Sequence, residues 1–325
     1  MVKPEAQPLQ ISWRWLLAVY LIVPVLLLVV IIDRIWFSES LLPYMGLSSL
    51  LLPLYLLLFE LPHIIASLLG FADREYRQQY ARPLYLGLPA VLLGVYLLFR
   101  IDPVWAILAY LVATMYHVIK QQTGIAFIFG TPRGIVHQVW TYAAIVCTGT
   151  IYSAILLAEQ FPIAVGPGLY GFIYAALALS LMAGMVQWYR TSRSVGAWYV
   201  IATTMMLASS FWMLYVGYLF FAFFAIRFVH DVTAFIFYTA HEHNRNHAVR
   251  SNPIYRIFAP IPLPIFVLVP LISIGLAYLI RSAATGSVAL WMVVIALGFA
   301  HYYLESLMWK RDSLHRQHIR IDQPV

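Results

Sequence analysis

Imidazoles are scarce inside long apolar runs, yet this chain places four there: His63, His117, His230 and His301. An ionisable group in hydrocarbon is costly, so each one marks a functional position. Counted back from the nearest polar segment at about 1.5 Å per residue, the four lie roughly 5 to 17 Å deep. Helix tilt can bring such a spread level. Neutral imidazole ligates iron, copper or zinc, and four at comparable depth predict a shared metal. The alternative is four buried histidines, each satisfied by a hydroxyl or carbonyl of a neighbouring helix.

Polar partners stand at contact spacing. Glu60 precedes His63 by three residues, Gln121 follows His117 by four and Glu305 follows His301 by four, each on its histidine's helix face. Asp231 is adjacent to His230. Groups of this kind fix a ligand's tautomer and orientation. Glu60 and Glu305 would act as metal ligand, orienting partner or proton carrier, whereas Asp231 and Arg227, four residues apart, could neutralise one another within the membrane.

The single cysteine, Cys147, excludes a multi-thiolate cage. Histidines without thiolates point first to non-heme Fe(II), with copper or zinc after it. An open ferrous site in lipid predicts dioxygen chemistry on an apolar substrate arriving sideways from the bilayer. Three histidines and an acid such as Asp231 would equally suit zinc-activated water in a membrane hydrolase. A heme b carrier or a proton-coupled transporter is the non-enzymatic alternative.

A second cluster sits at the polar margin. His241-Glu242-His243-Asn244-Arg245-Asn246-His247 closes the eighth apolar run, and His315-Arg316-Gln317-His318 follows the tenth. Membrane desaturases and hydroxylases hold two irons in histidine boxes at this level, which makes these five histidines secondary metal candidates. The chain has no adjacent histidines, and histidine beside arginine and asparagine at an interface is expected as a solvated helix end.

The elements that must position these groups are membrane helices. The chain of 325 residues is 62% hydrophobic and 10% charged, and its mean hydropathy is +0.81. Soluble domains carry about 25% charged residues. The pattern predicts an all-α polytopic bundle, one integral domain over 1–325, with spans near 14–33, 45–70, 83–100, 104–120, 137–157, 168–188, 196–214, 218–240, 259–280 and 287–308. The first run lacks a small-residue cleavage site and is expected to remain as a span. Gly217 is expected to make a tight turn between the seventh and eighth. The net charge of +7 does not imply nucleic acid. Lys3, Arg74, Arg77, Arg133, Arg190, Arg250, Lys310 and Arg311 fall on one side, against Arg34, Arg100 and Arg281 on the other. The positive-inside rule then places both termini in the cytoplasm of a plasma (inner) membrane.

Leu61-Pro62-His63, Tyr116-His117 with Gln121, and His230-Asp231 resemble the histidine motifs of the Brp/Blh family. That resemblance implies a polytopic, iron-dependent dioxygenase that splits the central double bond of β-carotene into two retinals, with His63, His117, His230 and His301 as iron ligands. Ile64-Ile65-Ala66-Ser67 stands where that family carries a glycine and an acid-histidine pair, so a relative acting on another lipid is an equal expectation.

Overall fold

The computed structural model describes residues 8–46, 51–160, 167–284, 288–310 and 313–322. Lys3, Arg311, positions 47–50 of the second expected span and position 287 of the tenth lie outside them. Among the described residues, nine helices are long and apolar enough to cross a membrane: Trp13–Trp36 (α1), Leu51–Ala72 (α2), Pro83–Ile101 (α3), Pro103–Ile128 (α4), Ile135–Leu156 (α5), Pro167–Thr191 (α6), Gly196–Tyr215 (α7), Leu219–Asn246 (α8) and Ile265–Ala283 (α9). A tenth helix, Val288–Met308 (α10), follows. The chain is an all-α, multi-pass membrane protein. With no water in hydrocarbon, backbone polar groups must be satisfied within the segment, and helices do so.

Sequence and structure agree closely on most boundaries. Gly217, at φ +89°, makes the turn between α7 and α8. The ninth helix begins at Ile265 rather than at 259, because Pro260, Pro262 and Pro264 withhold amide donors and bias their preceding residues away from helix. Leu56–Glu60 and Pro83–Gly87 wind as π-helical turns, each ending two residues before a proline, Pro62 or Pro89. A proline ring collides with the carbonyl four residues back, and a widened turn relieves it.

The chain divides into two compact units. Among the described residues, one comprises those within 8–13, 54–110 and 231–322, and the other those within 14–53 and 111–230.

In the first unit, the core joins Leu61, Ile65 and Leu69 of α2 to Tyr238 of α8, Leu268 and Val269 of α9, and Leu304 and Met308 of α10. Close approach depends on Gly298, where a Cβ would stand 2.5 Å from the Tyr110 ring. Gln10–Ile11 (β1) pairs in parallel with Arg320–Ile321 (β2). Asn244 braces that pair, donating to the carbonyls of Leu9 (3.0 Å) and His318 (2.9 Å). The segment before α1 and the segment after α10 therefore lie on one side, as an even number of crossings requires.

In the second unit, α5, α6 and α7 pack as neighbours and α7 also meets α1. Its interior is tied by polar side chains. The Tyr20 hydroxyl donates to Gln122 at 2.5 Å and lies 2.9 Å from the Thr203 hydroxyl. Tyr218 donates to Asp33 at 2.6 Å, and Trp140 to Thr204 at 3.3 Å. The outward face of α1 carries Trp15, Leu21, Leu28 and Ile35, side chains suited to lipid.

Candidate metal centre

His63 and His301 meet in the first unit, fully buried, with ring centroids 5.1 Å apart and planes at 80°. The environment of each ring fixes its proton. His63 Nδ1 lies 3.1 Å from the Phe59 carbonyl oxygen and 3.4 Å from Asp231 Oδ1. A carbonyl only accepts, so Nδ1 carries the hydrogen and Nε2 the lone pair. His301 Nδ1 lies 2.7 Å from Ser67 Oγ. The Ser67 hydroxyl spends its one hydrogen on the Ile64 carbonyl at 2.6 Å, so its oxygen accepts from His301 Nδ1–H. Both imidazoles thus present Nε2, the arrangement in which neighbours orient metal-binding histidines.

Glu305 stands beside His301. Its Oε1 accepts from the Tyr238 hydroxyl at 2.5 Å and from Trp309 Nε1 at 2.8 Å. Its Oε2 faces His301 Nε2 at 3.4 Å, one helical turn away on α10. Two lone-pair atoms in that position repel unless a cation or a proton lies between them. Ligand atoms about 2.1 Å from one ion, at angles of about 90–110°, stand about 3.0–3.4 Å apart, so the observed spacing suits a shared metal. Two imidazoles and a carboxylate are a donor set that non-heme iron accepts.

The remaining expected residues are placed as follows. Asp231, also buried, accepts from the Tyr55 hydroxyl. Its Oδ1 lies 3.4 Å from His63 Nδ1, whereas the sequence linked it to His230 through adjacency. Glu60 is buried at the end of the first π turn and accepts from Tyr110 at 3.0 Å. In the second unit, the His117 and His230 rings meet with centroids 4.9 Å apart at 81°. Gln121 is half-buried and accepts from Gln122 at 3.4 Å.

At the polar margin of the first unit, the expected solvated helix end is a buried network. His241, Glu242 and His315 are each at most 2% exposed. His241 Nδ1 lies 3.0 Å from Glu242 Oε1, and its Nε2 lies 2.6 Å from the Tyr76 hydroxyl, which also reaches His315 Nδ1 at 3.3 Å. The two rings stack at 4.1 Å. Both nitrogens of His241 are thereby engaged within the protein. Arg245 closes the network, 3.0 Å from Asp73 and 2.6 Å from Glu75, with His318 Nε2 at 3.5 Å. Burial raises the Asp73 pKa, but hydrogen bonds from the Glu75 amide, Ser251 and Arg245 outweigh it and hold the carboxyl below its ordinary range. Burial, and then the neighbouring His241, push His315 well below the usual histidine value. The burial arises because the short helix Arg74–Gln79 and the C-terminal turn Leu314–Gln317 cover the end of α8. Hydropathy could not show that cover.

Sequence reasoning missed Ser67, Tyr55, Tyr238, Trp309 and Tyr76. Ser67 carried a signal: a hydroxyl four residues after His63 in an otherwise apolar stretch. The aromatic partners carried none, since Tyr and Trp are abundant here. No protein-family model, no curated protein and no solved structure matches the chain.

Proposed function

We propose that this chain is a membrane-embedded, histidine-ligated non-heme iron oxygenase acting on a lipophilic substrate, a carotenoid or another lipid, in a plasma (inner) membrane. The observation that carries the reading is the orientation of His63 and His301, both offering Nε2, beside the Glu305 carboxylate. Iron(II) held by His63, His301 and Glu305 would supply the binding and activation of dioxygen. The protein's own part is positional. Ser67 and the Phe59 carbonyl keep both imidazoles in the ligating tautomer. Tyr238 and Trp309 hold Glu305 by Oε1, and Oε2 is turned toward His301. Asp231 and Tyr55 set the plane of His63. The apolar core of Leu61, Ile65 and Leu304 keeps water out. The motif resemblance to the Brp/Blh family supports a polyene among the candidate substrates.

The same donors favour one second reading. Two histidines and a glutamate also hold catalytic zinc, which would make the chain a membrane hydrolase.

Metal analysis of the purified protein decides between them. Stoichiometric iron, lost on His63→Ala or His301→Ala and retained on His243→Ala, followed by oxygen uptake with carotenoid or other lipid, is the expected result. Zinc in the same place supports the hydrolase, and a metal-free protein removes both readings.

A further inference from the structure

A second histidine pair stands at the polar end of α8. His243 lies in the last turn of α8 and His247 directly after it, its amide still donating to the His243 carbonyl at 2.9 Å, with the two rings nearly parallel at 14° and centroids 5.3 Å apart. Helical side chains lean towards the N-terminus, so His247 reaches over the turn that carries His243. The Nδ1 of His247 lies 3.1 Å from the carbonyl oxygens of both His243 and Asn244. Those oxygens only accept, so Nδ1 carries the hydrogen and Nε2 the lone pair. His243 is 8% exposed, and its buried Nδ1 has no hydrogen-bond partner among the described residues. A buried N–H there would be unsatisfied, whereas a lone pair there is a ligand. The nearby cation Arg245 is already engaged by Asp73 and Glu75, which offsets the charge that would repel a metal.

We propose that His243 and His247 chelate a single borderline divalent transition metal, of the Zn2+, Ni2+ or Cu2+ class, at the polar end of α8. Two histidines four residues apart on one helix face are the pair that zinc helices use. The intervening Asn244-Arg245-Asn246 brings no carboxylate, so the hard cations Mg2+ and Ca2+ are not held. Water completes the coordination. The metal clamps the last turn of α8 and stabilises the folded state by mass action. The site is independent of the iron reading.

The test uses the full chain in detergent, stripped with chelator, in a His63→Ala/His301→Ala background that disables the buried centre. Zinc is titrated by calorimetry and by thermal melting, with and without His247→Ala, and Mg2+ is the control cation. The expected result is one zinc equivalent and a raised Tm in the background protein. With His247→Ala, the affinity falls at least tenfold and the Tm gain is lost. Should that background fail to fold, the same comparison in the otherwise wild-type chain reads the loss of one zinc equivalent. Equal stoichiometry and affinity with and without His247 overturn the proposal, as does zinc uptake only at millimolar concentration.

Discussion

Ser67 and His301 share a 2.7 Å hydrogen bond in which the serine oxygen is the acceptor, because its own hydrogen is held by the Ile64 carbonyl. The bond turns His301 Nε2 into a lone-pair donor. Ser67→Ala releases that constraint without filling or emptying much space. Partners of this kind are worth roughly 10–100-fold in metal affinity, so iron titration of Ser67→Ala should show a loss in that range, with a modest fall in Tm from the buried imidazole N–H left without its acceptor. Undiminished affinity would mean that another contact fixes the ring.

Glu305 offers a sharper discrimination. If Oε2 binds metal, Glu305→Gln removes a charged ligand while keeping the shape, and iron affinity falls by about tenfold or more. If a proton lies between Oε2 and His301, the glutamine is close to an isostere, and iron content is unmoved. Metal analysis of this variant separates the two.

The second unit is vulnerable at Gly196. A Cβ there would stand 2.8 Å and 2.9 Å from the backbone carbonyl oxygens of Ala126 and Phe129, and backbone cannot swing aside as a side-chain tip can. Gly196→Ala is expected to destabilise by about 1–3 kcal/mol. Gly94→Ala, where no atom lies within 4 Å, should be nearly neutral in the same melting assay.

Acid should loosen the polar end of the first unit. His315 is held neutral by burial and by His241, and His318 is shifted in the same direction by burial and Arg245. A folded-state value below the unfolded one, about 6.5, means that the unfolded chain binds more protons once the pH falls beneath that value. The contribution of neutral His315 is therefore complete above about pH 6.5 and is lost as the pH falls towards the folded value. Tm should decline below about pH 6.5, and His315→Gln should flatten that slope. An unaltered slope would assign the acid sensitivity elsewhere.

Much of the fold was legible because hydrocarbon leaves so few options. Apolar runs gave the helices and Gly217 gave the turn, while the proline-rich stretch at 260–264 delayed the ninth helix and the fourth and eighth ran past their apolar runs to Ile128 and Asn246. The site was legible in part. Histidines in apolar runs announce themselves by their cost, so His63 and His301 stood out. Their partners did not, because Ser67, Tyr55 and Tyr238 reach them from other turns and other helices, a relation that a one-dimensional reading cannot weigh. The polar end was misjudged for a related reason. Arg245 and Asn246 look like solvent-facing residues until the short helix Arg74–Gln79 and the C-terminal turn are laid over them.

The first unit is assembled from segments distant in the chain, and this has a consequence in time. Ser67 and His301 are separated by 234 residues. At the usual pace of ribosomal elongation, about 5–20 residues per second, the serine waits on the order of tens of seconds for its histidine to be made. Throughout that interval α2 carries a buried imidazole, that of His63, without α10 beside it. Any metal bound by His63 and His301 together would therefore be taken up after translation, once the tenth helix has left the insertion machinery.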